Sequence, residues 1–291
     1  MSRVLSLIEN DRERSPDILR LIAPHAGPAL RIGFTGPPGA GKSSLVAAYV
    51  KLLRKQRARV GVIAVDPTSP FSGGALLGDR IRMNAVSMDP GVFVRSLATR
   101  GDMGGLAEAA GDMGDVMDAC GFEYVLFETV GVGQSELEIV EYADSTVVVL
   151  VPESGDAIQG MKAGLMEIAD IFVINKSDRE GADRFASDLH GAMHLKHWEG
   201  WTPPTVMTVA VQEKGIEELH EHVLRHIEFL KSSDEFEKRR RERIRRRIKR
   251  LVESRLIHEF WSDEHLQKLE TAIASNRSPY EITSDLLNHN R

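Results

Sequence analysis

The feature that most constrains this 291-residue chain is a single run, Gly36-Pro37-Pro38-Gly39-Ala40-Gly41-Lys42-Ser43, which matches G-x-x-x-x-G-K-S. It follows the apolar stretch Leu30 to Thr35 and precedes a segment in which Leu45, Val46 and Val50 share one helical face. Strand, glycine-rich turn and helix is the context in which backbone N–H groups curl around a phosphate, helped by the positive end of the helix. Gly36, Gly39, Ala40, Gly41, Lys42, Ser43 and Ser44 are therefore the expected phosphate-binding residues. Lys42 would set its charge against the β and γ oxygens, and Ser43 would hold Mg²⁺.

Further apolar, strand-like runs recur at residues 60–65, 124–128, 145–150, 171–175 and 205–209, with a weaker one at 92–96 after Asp89-Pro90-Gly91. Helical periodicity separates them, so the expected fold class is α/β: a P-loop NTPase with a mostly parallel central sheet flanked by helices. Ser15-Pro16 followed by residues 17–25 reads as a short capped helix that ends at the turn Gly27-Pro28. From Ile216 onward strand signals stop, and Ile244, Ile248, Leu251, Val252 and Leu256 recur at helical spacing. The expected organisation is a helical leader over 1–28, a nucleotide domain over 29–230 and a C-terminal helical arm over 231–291.

The base is indicated by Asn175-Lys176-Ser177-Asp178, which closes an apolar strand where ligands of a parallel sheet bind. The Asp178 carboxylate can accept from both guanine N1–H and the exocyclic amine, which adenine cannot match, so GTP and GDP are the expected ligands. Asp66 and Glu128 close two other strands at the same edge and are expected, with Asp79 and Ser43, around Mg²⁺. Lys42, Asp66 and Glu128 form the expected catalytic set. Gly131 is placed to sense a γ-phosphate through its N–H.

These residues resemble the MeaB, ArgK and human MMAA type of GTPase, chaperones of cobalamin-dependent acyl-CoA mutases. The likeness rests on residues 33–43, on Val65-Asp66-Pro67-Thr68-Ser69-Pro70, on Leu77-Gly78-Asp79-Arg80-Ile81-Arg82-Met83 and on the run from Glu128 to Glu136. Arg100-Gly101, Gly104-Gly105-Leu106 and the run from Gln159 to Gly164 add to it. The resemblance implies a homodimeric GTPase, slow alone, that binds a methylmalonyl-CoA mutase-type enzyme and gates loading or rescue of the adenosylcobalamin carried by that partner. It also implies that Asp66 and Asp79 lie in a first mobile region, that Glu128 faces the metal, and that residues 156–162 form a loop responsive to the partner. Val209-Ala210 stands where the family usually has a Ser-Ala pair beside the guanine, and Ser177 where alanine is usual.

Other features narrow the field. One cysteine, Cys120, excludes an internal disulfide or a cysteine-based cluster and fits a reducing cytoplasm. The first twenty residues lack the apolar core of a signal peptide, and no stretch reaches the length of a membrane span, so a cytoplasmic location is expected. Net charge is −6, yet Lys238 to Arg250 holds ten Lys or Arg residues. Such a run can neutralise nucleic-acid phosphates; a dimer arm is preferred, because the apolar row and Glu235, Glu237 and Glu242 interrupt the charge. The alternatives are a GTP-dependent switch binding nucleic acid and a metallocentre-assembly GTPase of the HypB or UreG type. His190, His194 and His197 are the only histidines at metal-like spacing, and an exposed helix face is the commoner fate of such a group.

Overall fold

The computed structural model describes residues 1–11, 14–66, 86, 88–98, 103–129, 135–153, 164–198, 200–275 and 277–288. It falls into two compact units, Met1–Arg239 and Arg240–Arg291.

In the first unit, seven strands among the described residues form one sheet: β1 Leu30–Thr35, β2 Val60–Asp66, β3 Val92–Ala98, β4 Tyr124–Glu128, β5 Ser145–Leu150, β6 Ile171–Asn175 and β7 Thr205–Thr208. Their order is β3-β2-β4-β1-β5-β6-β7, and every pairing is parallel. All seven carboxyl ends therefore lie on one edge. Register fixes which ends meet: Phe34 pairs with Glu128, Thr35 with Val148, and Asn175 with Thr208.

Helices cover both faces, which is why the central strands read as continuous apolar runs rather than alternating ones. Ile32, Phe34, Val147, Val149, Ile171 and Val173 face a layer made by α3 (Lys42–Lys55) and α6 (Ile216–Ser232), with Tyr49, Leu53, Val223 and Ile227 at its centre. On the opposite face, Ile63, Val125 and Phe127 pack against Leu5 and Ile8 of α1 (Ser2–Asn10) and against Met113 and Met117 of α4 (Met103–Ala119). Between them α2 (Ser15–Ile22) adds Ile18 and Leu19. Val148, Leu150, Phe172 and Ile174 meet Phe185, Leu189 and Met193 of α5 (Ala182–His194). Successive residues of one strand thus serve two cores, as a period of two requires.

The strand bounds differ slightly from expectation. β2 runs to Asp66 and β3 to Ala98, while β7 stops at Thr208 because Val209 turns out of the ladder to bridge Lys214. The leader contains α1, which the sequence reading left unassigned. The expected capped helix is α2, ending at Ile22 before a 3₁₀ turn Ala23–His25; Ser15 lies inside it and makes no side-chain cap.

The second unit is helical. The long helix α7 (Glu235–Phe260) spans the division between the units, and α8 (Asp263–Ile273) and α9 (Pro279–Asn288) follow. Ser262 caps α8 by accepting from the His265 N–H, and the Phe260 ring stacks on His265. Ile282 and Leu286 are buried, whereas Ile244, Ile248, Leu251, Val252 and Leu256 stay exposed in the single chain. No helix among the described residues is long and apolar enough to cross a membrane.

Candidate active site

The turn from β1 into α3 is built on glycines at positive φ. Gly36 has φ +136°, and a Cβ there would sit 2.1 Å from the Val149 carbonyl oxygen; Gly41 has φ +85°, and a Cβ would meet Asn175 Nδ2 at 2.5 Å. Any side chain at either point would push the turn away from β5 and β6. Lys42 and Ser43, the first residues of α3, are both buried, and Ser44 is half-buried. Lys42 Nζ donates to the carbonyl oxygens of Gly36 at 2.6 Å and Pro37 at 3.0 Å, so its ammonium lies inside the curve of the turn.

Ser43 Oγ donates to Glu128 Oε1 at 2.5 Å, although the two residues are 85 positions apart. The parallel β1–β4 pairing ends both strands at this point, and Glu128 is only 7 % exposed. Beside them Thr129 donates to Thr35 between side-chain hydroxyls at 2.9 Å, and the Thr129 N–H donates to the Phe34 carbonyl. Two buried oxygen donors next to a phosphate-type turn suit a hard divalent cation such as Mg²⁺. Asp66 ends β2 at the same edge by its backbone; its side chain, like Asp79 and Gly131 entirely, lies outside the described residues. The loop expected over 156–162 lies outside them as well.

The Asn175-Lys176-Ser177-Asp178 segment leaves β6 directly beside the turn. Asn175 is a buried strut: its Nδ2 donates to the Ala40 carbonyl at 2.9 Å, while its Oδ1 accepts from Thr208 Oγ1 at 3.2 Å and the Ala210 N–H at 3.1 Å. Three chain segments are thereby fixed by one amide. Lys176, at φ +57°, donates from Nζ to the Gly39 carbonyl at 2.8 Å and so lies along the turn. Asp178 is exposed. Val209 and Ala210 open a 3₁₀ turn, Ala210–Gln212, on the far side of Asn175. Arg179 pairs with Glu153 in the turn that follows β5, and the guanidinium holds the Glu153 carboxyl below its ordinary range.

The geometry brings together Gly36, Gly39, Ala40, Gly41, Lys42, Ser43, Glu128, Asn175, Lys176 and Ala210 at one sheet edge. Thr208 escaped the sequence reading; its only signal was a hydroxyl residue at the end of a strand paired with the one ending in Asn175. The preferred reading of the histidine group as an exposed helix face fits the structure: His190 and His194 lie on α5 and His197 just beyond it, and all three are exposed. Among the described residues no group of three or more His, Cys, Asp or Glu side chains is arranged to hold a metal.

Comparison with known proteins finds relatives over most of the chain. The family model of the methylmalonyl-CoA mutase-associated GTPase MeaB matches residues 1–265. A protein of Pyrococcus abyssi named as a GTPase is 54 % identical over 255 residues, covering 86 % of this chain and 79 % of its own length. The GTPase ArgK of Escherichia coli is 32 % identical over 277 residues, covering 92 % and 84 %. A crystal structure described as an LAO/AO transport system kinase superposes with a TM-score of 0.75 at 27 % identity, covering 99 % of this chain and 91 % of that one.

Proposed function

Because the chain belongs to the methylmalonyl-CoA mutase-associated GTPase family and is itself a GTPase, we propose that it acts as a Mg²⁺-dependent chaperone of an adenosylcobalamin-dependent acyl-CoA mutase. The observation that carries this reading is the family match, which runs from residue 1 to residue 265 and so extends past the nucleotide core into the second unit. In this role GTP turnover gates loading or rescue of the cobalamin held by the mutase, and the protein works in the cytoplasm.

In the proposed mechanism the residues of this chain bind and orient. Backbone N–H groups of Gly39, Ala40, Gly41, Lys42 and Ser43 cradle the β-phosphate, and Ser44 adds its N–H at the start of α3. Lys42, already inside the turn, exchanges the carbonyls of Gly36 and Pro37 for phosphate oxygens and neutralises charge that develops in transfer. Ser43 and Glu128, with Asp66 and Asp79, would hold Mg²⁺, which would supply a divalent charge to the phosphate oxygens. Gly131 senses the γ-phosphate. Asp178 reads the guanine edge, Asn175 and Lys176 line the base pocket, and the Val209–Ala210 backbone closes it.

Nothing among these groups is a strong base for water, and phosphoryl transfer depends mainly on positioning and charge. Hydrolysis by the protein alone is therefore slow, and a partner that orders the loops speeds it. The apolar row of α7, exposed in the single chain, supports a homodimer joined through the arm. The test is GTP hydrolysis by the pure protein with and without a cobalamin-dependent acyl-CoA mutase from the same source. Stimulation is expected; equal rates overturn the chaperone reading while leaving the GTPase intact.

A further inference from the structure

Among the described residues the base side of the site is fastened to the phosphate side by Asn175, which reaches Ala40 and Ala210, and by Lys176, which reaches Gly39, both in a nucleotide motif. A further fastening, outside any such motif, is Glu213. After β7 the chain makes a tight loop: Val209 and Lys214 exchange backbone hydrogen bonds at 3.1 and 3.3 Å, and the 3₁₀ turn Ala210–Gln212 lies between them. Glu213 ends that turn with φ +55°, a left-handed conformation that disfavours any residue carrying a Cβ. Its carboxylate accepts from Lys51 Nζ at 2.7 Å and lies 3.8 Å from Lys55 Nζ. Lys51 and Lys55 stand one turn apart on α3, the helix whose first residues are Lys42 and Ser43.

We propose that Glu213, clasped by Lys51 and Lys55, is a positioning residue for guanine-nucleotide binding: it holds the Val209–Ala210 loop at a fixed distance from the phosphate turn without touching the nucleotide. The inference rests on the reading of Val209 and Ala210 as the backbone that closes the base pocket. Three observations carry it. An unfavourable backbone conformation is occupied by an acidic residue at a point where Lys51 and Lys55 of the phosphate helix reach it. The loop it ends is the loop whose Ala210 N–H is already committed to Asn175. The ion pair spans 162 positions of sequence, so it joins elements that the chain itself leaves independent. The Lys51 and Glu213 side chains are 47 % and 39 % exposed, so the clasp is screened by salt and modest in size.

The experiment is titration of a fluorescent GDP analogue into Glu213→Gln, Lys51→Ala and the double variant at low and high salt, with Asp178→Asn as a separate arm. Each single variant is expected to weaken GDP binding about twofold to fivefold at low salt, in line with exposed ion pairs. The double variant should be no weaker than the weaker single one, since both remove the same interaction. The loss should shrink at high salt, appear in KM for GTP rather than kcat, and spare the affinity for inorganic pyrophosphate, which touches only the phosphate turn. Wild-type affinity in Glu213→Gln, or losses that add in the double variant, overturns the clasp. If Asp178→Asn keeps full guanine preference, the base-pocket reading itself fails and the clasp falls with it; if Asp178→Asn loses that preference while Glu213→Gln binds normally, only the clasp is rejected.

Discussion

Ser43 Oγ donates to Glu128 Oε1 at 2.5 Å, joining the first turn of α3 to the end of β4 with both residues buried. The same two oxygens are the ones proposed to face Mg²⁺, so Glu128→Gln tests them with little change of shape. The amide keeps an oxygen for the Ser43 hydroxyl but removes the charge. Hydrolysis should fall roughly 10- to 100-fold, the usual range when support of a metal site is lost, and more Mg²⁺ should be needed for half-maximal rate. An unchanged Mg²⁺ titration would remove Glu128 from the metal site.

Lys42→Ala deletes the ammonium that lies inside the turn, bonded to Gly36 and Pro37. Turnover should drop about a hundredfold or more, the scale associated with losing one preorganised charge-stabilising group. Single-turnover hydrolysis with circular dichroism as the folding control checks it, and a variant that is folded and active refutes the role.

Asp178 is exposed at the end of the segment leaving β6. Asp178→Asn replaces a pure acceptor by a group that both donates and accepts, so preference should move from guanine toward xanthine nucleotides. Competition between GTP and XTP in the hydrolysis assay measures this directly; continued preference for GTP would mean that the base is read elsewhere.

Asn175→Ala removes one donor and one acceptor and leaves the Ala40 carbonyl and the Ala210 N–H without the amide between the turn and β7. Buried groups left unpaired carry most of the cost, so a loss of about 2–4 kcal/mol is expected. Urea unfolding of the nucleotide-free protein reads it, and a midpoint equal to wild type would show that the strut does not hold the fold.

His220 on α6 is buried with its Nδ1 2.8 Å from the Tyr49 hydroxyl and its ring beside Tyr124. Burial pulls its pKa below the ordinary value of 6.5, and Glu221 only partly opposes that. With the folded pKa depressed, the unfolded chain binds the proton first as pH falls. Stability from neutral His220 is therefore complete above pH 6.5 and declines as pH drops below it. His220→Gln should flatten that decline relative to wild type, measured as urea midpoints at several pH values; parallel curves would count against it.

The legible part of this protein was local. Gly36 to Ser43 reads correctly because its spacing encodes a turn between adjacent elements, and strands such as 145–150 and 171–175 read correctly because both of their faces are buried. The helix α1 is not legible although Leu5 and Ile8 carry a helical spacing, because so short a segment is marginal as an isolated helix and its stability comes from docking on α4. β3 was only weakly indicated, its Asp89-Pro90-Gly91 approach reading as a breaker, while seven paired residues on β2 hold it in the sheet.

By itself the sequence determined the parallel α/β plan, the glycine-rich turn between β1 and α3, and the place of Asn175 to Asp178 at the end of β6, since each depends on residues close together in the chain. Only the tertiary structure decided that Ser43 meets Glu128, that Asn175 ties Ala40 to Ala210, and that Glu213 reaches Lys51. Those contacts join residues tens to hundreds of positions apart. They follow from strand order and register, which no local spacing encodes and which packing on both faces of the sheet selects.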